Sequence, residues 1–223
     1  MDSGRRLQRG NKRQHIYEEI KDLIRNDDFD ERTLTEVQLS QRLAVSRTPV
    51  RAALLQLKIE GWLEEGPYGL RVRVLDNAEI LETYAIREAL EGAAAKLAAS
   101  RATPAELIAL QETARAFASA VEGAHAPEAL EEMNARFHAL MHLSSHSALL
   151  RRILEPLQLA NSRFQQSTFS RAGRAAASAA EHDEIVKALM DRDGKKAEDV
   201  ARAHVRAGAE ARSRLIADTL IAG

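Results

Sequence analysis

Cysteine is absent from all 223 residues, which excludes disulfides, thiolate metal sites and a cysteine nucleophile and suits a reducing, cytoplasmic setting. Long apolar runs are absent as well, and nothing approaches the roughly 18 residues of a membrane span. Aromatic residues make up only 4% of the chain while alanine is abundant, a balance that favours helices over strands. Net charge is almost nil: 32 Lys and Arg against 33 Asp and Glu leave −1. Attraction to a polyanion therefore has to come from local charge. Met1 to Arg13 lacks the apolar core of a secretory signal and sets Arg5, Arg6, Arg9, Lys12 and Arg13 against Asp2 alone. Residues 1–13 read as a flexible basic arm that can add phosphate contacts.

The most informative stretch is Leu43-Ala44-Val45-Ser46-Arg47-Thr48-Pro49-Val50-Arg51-Ala52-Ala53-Leu54. It reads as the end of one helix, a tight turn and the start of a second helix. Ser46 or Thr48 suits the cap, and Pro49 is tolerated in a first turn. Val50, Leu54 and Leu57 share an apolar face. Ser46, Arg47, Thr48 and Arg51 gather at the N-terminal end, away from that face. Such an end suits a DNA major groove: its N–H groups and positive pole favour phosphate, and arginine forks match guanine edges. The same residues also fit a surface helix with solvated arginines. From Ser46 to Ile59 the sequence has Arg47, Arg51 and Lys58 and no acid.

Before this stretch, Ile16, Tyr17, Ile20, Leu23 and Ile24 predict a helix over about 15–25, and Thr35-Glu36-Val37-Gln38 has the form of a capping box opening another. After it, Gly61 ends the helix. Trp62–Glu65 and Leu70–Val74 read as strands around a Gly66-Pro67-Tyr68-Gly69 turn, a wing on which Tyr68, Gly69, Arg71 and Arg73 can reach DNA backbone or the minor groove. The arginines fit equally well as solvated residues of an exposed strand.

Leu34–Ser40, Val45–Arg51 and Leu57–Leu63 resemble the winged helix-turn-helix of GntR-family transcription regulators, with Val45-Ser46-Arg47-Thr48-Pro49-Val50-Arg51 the most specific part. Val37 departs from the arginine common at its position. A winged domain over 14–76 and a short linker near Asp76 follow.

From Asn77 the pattern is purely helical. Six segments are expected: 78–100, 103–123, 128–144, 148–169 with Pro156 as a kink, 174–190 and 195–221. The fold class is mainly α: a winged helix-turn-helix followed, over 77–223, by an all-α bundle of six or seven helices.

Three of the seven histidines fall at core-like spacing on three different segments. Asn134 and His138 share one face, His182 lies in Glu181-His182-Asp183, and His204 lies in the last segment. If the faces converge, the bundle holds three imidazoles and a carboxamide oxygen, a set suited to Zn²⁺, Ni²⁺, Co²⁺ or Mn²⁺. Each histidine fits equally as a hydrogen-bonded core residue. His142 and His146 continue the face of His138: His142 fits as a reserve ligand or, better, as a residue facing the bundle without metal, and His146 as a polar residue at the helix end. Arg87 needs a partner among its apolar neighbours: either an effector carboxylate, which matches its planar fork, or Glu91 or Glu88 on the same helix. Arg163 is a second effector candidate.

Residues 87–99, Asn134-Ala135-Arg136-Phe137-His138, His182 with Asp193, and His204 resemble the FCD effector domain of FadR-type GntR regulators. The resemblance implies a divalent metal on Asn134, His138, His182 and His204, with Arg87 lining the ligand pocket. Asn134 stands where aspartate is commoner, which implies weaker metal retention and stronger pull on an anion. The expectation is a non-enzymatic regulator, a repressor, binding a palindromic double-stranded operator as a homodimer and responding to a small organic acid. The rival is a helical metal-dependent hydrolase built on the three histidines, with no compelling general base but with Glu181 and Asp183 close by.

Overall fold

A computed structural model describes residues 14–24, 33–73, 76–162 and 167–222. The chain divides into two compact units, on either side of the 74/75 peptide.

In the first unit, residues 14–24 form α1. The order continues with β1 (Thr33–Leu34), α2 (Glu36–Arg42), α3 (Arg47–Ile59), β2 (Leu63–Gly66) and β3 (Gly69–Val72). The hydroxyl of Thr35 accepts from the Gln38 N–H at 3.2 Å and donates to Gln38 Oε1 at 2.7 Å, which opens α2. Ala44 turns the chain in the left-handed region, at φ 51°. Of the two capping candidates, Ser46 occupies the N-cap of α3, without a side-chain capping bond, and Thr48 lies inside the first turn. Gly61, at φ 77°, closes α3 with a Schellman pattern: Trp62 N–H donates to the Leu57 carbonyl and Gly61 N–H to that of Lys58. The sheet order is β1-β3-β2, all antiparallel, with Thr33 opposite Arg71 and Glu64 opposite Arg71 on its other side. The short edge strand β1 was not expected from two residues. Ile16, Ile20, Leu34, Leu39, Val50, Leu57 and Trp62 form the buried interior.

In the second unit, α4 (Asn77–Arg101), α5 (Pro104–Glu122), α6 (Pro127–Ser144), α7 (Ala148–Ser162), α8 (Arg174–Met190) and α9 (Gly194–Ala222) follow, with a 3-10 turn at Thr168–Ser170. Asp76–Glu79 and Thr103–Glu106 are full capping boxes, and Pro104 occupies the first turn of α5. Pro156 lies inside α7. The expected continuation of α7 to Phe169 is overturned. The Ser167 side chain accepts from the Phe169 N–H and starts the separate 3-10 turn. The core joins Ala95, Ala98, Leu110, Phe137, Met141, Ile185, Leu189 and Ala201 from α4, α5, α6, α8 and α9. Small residues on α4 let α9 approach closely: a Cβ on Gly92 would lie 2.7 Å from Arg202 Cγ. Among the described residues no helix is long and apolar enough to cross a membrane. The expected arm over 1–13 lies outside the described residues.

Candidate nucleic-acid interface and metal centre

On α3 the apolar side is buried through Val50, Ala53, Leu54 and Leu57, while Ser46, Arg47, Thr48 and Arg51 are exposed. Amphipathic spacing alone sets this division. Arg51 is not a free cation. Its Nε–H donates to Glu36 Oε1 at 2.7 Å and its Nη2 to Oε2 at 2.8 Å, a fork from α3 onto the first residue of α2. The Arg51 hydrogen bond and charge hold the Glu36 carboxyl below its usual range. On the wing, Arg71 pairs with Glu64 across the β2–β3 register at 2.5 Å, and Lys58 pairs with Glu65 at 2.5 Å. Tyr68 stands 87% exposed at the turn, beside exposed Gly69. The acid-free run 46–59 is thus answered by carboxylates from neighbouring elements.

In the second unit the structure brings together His138 on α6, His182 on α8 and His204 on α9, all buried, with ligand nitrogens within 4.8 Å of one another. Their elements carry them inward for an ordinary reason. Phe137, Ile185 and Val205, each adjacent to or near a histidine in sequence, are core residues. His138 Nε2 faces His204 Nε2 at 3.0 Å. His204 Nδ1 lies 2.6 Å from Glu181 Oε2 in a hydrogen bond. His138 Nδ1 lies 2.5 Å from Glu91 Oε2, an oblique approach without hydrogen-bond alignment. Each carboxylate is held by an arginine. Arg174 forks onto both oxygens of Glu181 at 2.9 Å, and Arg87 reaches Glu91 Oε1 through Nε at 2.8 Å and Nη2 at 2.7 Å.

The donor set fits a divalent metal. Carboxylates accept only, so a proton shared with Glu181 sits on His204 Nδ1 and leaves a lone pair on Nε2. Nε2 atoms 3.0 Å apart are near the spacing of two imidazole nitrogens each about 2.1 Å from one ion. The buried Asn134 Oδ1 and both ring nitrogens of His182 have no hydrogen-bond partner, and Asn134 lines the same cavity as His138 and His204. Burial pushes His138 down to about 4, and burial, with neighbouring cations, holds His182 well below its usual value. Neutral imidazoles are the form that binds metal. His182 is oriented by rings instead of carboxylates: it stacks on Phe137 at 4.1 Å and meets Phe117 edge-on at 4.9 Å.

The cavity beside the cluster leaves about 50 Å³ and is lined by Tyr84, Arg87, Glu131, Thr168, Arg174 and Ser178, among others. Arg87 takes the intrahelical alternative, since its fork is on Glu91, yet it still borders the cavity. Arg163 lies outside the described residues. His142 is buried with Nε2 3.6 Å from Glu91 Oε2, and His146 contacts Glu106 at 3.0 Å. That Glu91 approaches His138, and that Glu181 meets His204, does not follow from the sequence. The spacing of Arg87 and Glu91 signals only their own contact.

A winged helix-turn-helix unit and a helical unit with a histidine-lined cavity are the two parts that the family models match. Residues 12–67 match the bacterial regulatory proteins of the gntR family, and residues 82–207 match the FCD domain. The chain belongs to the GntR family and carries its FCD domain. It is 29% identical over 142 residues to the HTH-type transcriptional regulator YdhC of Bacillus subtilis strain 168, covering 63% of either protein and so less than two thirds of that relative. It is 28% identical over 173 residues to the HTH-type transcriptional repressor RspR of Escherichia coli K12, covering 77% of this chain and 75% of the relative. The solved structure of E. coli McbR/YncC aligns at a TM-score of 0.74 and 20% identity over 92% of this chain and 98% of that one, a likeness of fold. These relatives are named as regulators of transcription, not as enzymes.

Proposed function

We propose that the protein is a ligand-responsive, DNA-binding transcription repressor of the cytoplasm. Two copies associate, and their domains over 14–76 read the half-sites of a palindromic operator. Ser46, Arg47, Thr48 and Arg51 enter the major groove, and Tyr68, Gly69 and Arg71 follow the backbone beside it. Residues 77–223 hold the effector and the dimer contact. Asn134, His138, His182 and His204 hold a Zn²⁺, Ni²⁺, Co²⁺ or Mn²⁺ ion, which supplies a Lewis-acid anchor for a small organic acid. Arg87, with N–H groups beyond those used by Glu91, and Arg163 orient the acid's carboxylate.

The observation that carries this reading is the pair of facing Nε2 atoms at 3.0 Å beside the unpartnered Asn134 and His182. Buried polar atoms without partners are rare in folded proteins and point to a bound group. The hydrolase alternative gains nothing from the geometry. Of its two nearby carboxylates, Glu181 is already engaged by His204 and by both arms of Arg174, and Asp183 is exposed on the same helix.

Relief of repression follows if the acid favours one arrangement of the helical domain, with coupling limited by its differential affinity for the two arrangements. Fluorescence anisotropy on duplexes from the protein's own genome tests the DNA half. Arg47→Ala and Arg51→Ala should each weaken operator binding and relax its sequence preference. Unchanged operator affinity in both variants contradicts the assignment.

A further inference from the structure

We infer that Glu181 is a positioning residue of the metal centre proposed above: clamped by Arg174, it fixes His204 in the tautomer that turns a lone pair toward His138.

The evidence is the order of contacts along one line. Arg174 donates to both Glu181 oxygens at 2.9 Å. Glu181 Oε2 lies 2.6 Å from His204 Nδ1, and His204 Nε2 lies 3.0 Å from His138 Nε2. Arg174 and Glu181 are both on α8, two turns apart, so one helix supplies the clamp as well as the ligand His182. His204 comes from α9 and would otherwise be free to present either nitrogen. A carboxylate has no proton to give, so the Nδ1–H form is selected and the ring is held at both ends.

The clamp is one-sided in its alignment. His138 has Glu91 at a comparable distance, but obliquely, and His182 has no carboxylate at all. His204 is the imidazole whose carboxylate partner is a hydrogen-bond acceptor supplied by the same helix as the ligand His182. The neutral Asn134 supplies no charge to the ligand set, which makes polarisation of the imidazoles by the carboxylates behind them the main negative influence on the ion. This inference rests on the metal reading, and the experiment separates the two.

Zinc binding to the full-length protein is measured by competition with a chelator for the wild type, Glu181→Gln and a charge control, Glu184→Gln, which alters an exposed neighbour on the same helix. Glu181→Gln should weaken zinc binding by about 10- to 100-fold, and Glu184→Gln by less than about twofold. Imidazole ¹⁵N spectra of the zinc-free proteins supply a readout that simple loosening of the fold does not reproduce. His204 should be an Nδ1–H tautomer in the wild type and a mixture in Glu181→Gln. Arg174→Met should move both readouts the same way to a smaller extent. A folded Glu181→Gln protein with wild-type zinc affinity and an unchanged His204 tautomer overturns the inference and leaves the metal reading standing. A wild type that binds no zinc overturns both.

Discussion

Replacing Glu91 by leucine should be among the most damaging single changes in the helical domain. Glu91 is wholly buried and Arg87 is 7% exposed. Burial opposes charge on both, but their mutual attraction outweighs it. Arg87 holds the Glu91 carboxyl well below its usual range against the opposing effect of burial, and Glu91 raises Arg87. Glu91→Leu removes the acceptor and strands a guanidinium in the interior. Breaking a buried pair from one side costs about 3–5 kcal/mol. For a protein of this size, that lowers the midpoint by roughly 6–20 °C at ~2–4 °C per kcal/mol.

The double variant Arg87→Met/Glu91→Leu should recover most of the loss, because a well-packed apolar pair roughly equals the ion pair it replaces. It should retain a deficit of about 1–3 kcal/mol, since the polar edge of His138 still lacks its neighbour. Far-UV circular dichroism of the zinc-free protein follows the helical unit, and the sole tryptophan, Trp62, follows the other by fluorescence. A single variant melting within about 2 °C of wild type, or a double variant no more stable than the single, would refute the reasoning.

Three further outcomes follow from the same contacts. Glu36→Gln releases Arg51, so affinity for arbitrary duplex should rise severalfold and the log–log salt slope should steepen by about 0.9 as one more phosphate is engaged; an unchanged slope in anisotropy titrations contradicts this. Zinc-free protein should lose stability on acidification from the ordinary imidazole value of 6.5 toward about 4, because over that window the unfolded chain takes up protons that folded His138 does not. The depressed Glu91 adds a loss below 4.5, partly opposed by Glu131, which burial raises. Urea midpoints should therefore be flat above about pH 6.5 and fall below it, and midpoints that rise on acidification would reverse the sign. Phe137→Ala, at a site with no exposure and in contact with His182, should cost about 3–5 kcal/mol in denaturant titrations, and a cost under 1 kcal/mol would contradict its place in the core.

Local chemistry was legible from the sequence wherever neighbours in the chain do the work. The boxes at Thr103–Glu106, Pro104, Gly61 and the three-fold and four-fold spacing of apolar residues marked element ends within a residue or two. The same spacing put His138, His182 and His204 on inward faces, and the structure brings them together. What stayed hidden depends on residues far apart in the chain. Glu36 lies 15 residues from Arg51, and Glu181 lies 23 from His204. No pattern announces which surface carboxylate will meet which cation. Thr33–Leu34 is too short to carry a period, and it is a strand only because β3 offers it an edge. Beyond Pro156, the Ser167 hydroxyl accepts from the Phe169 N–H and opens a separate 3-10 turn within the span that apolar spacing alone gives to α7.

The most direct test is a titration of zinc-loaded, full-length protein onto duplexes from its own upstream region, at several salt concentrations, with and without small organic acids. Preferential binding to one site, weakened by salt and released by one of the acids, is the expected result. Equal affinity for every duplex, or a preferred duplex that no acid loosens, would contradict a metabolite-controlled repressor.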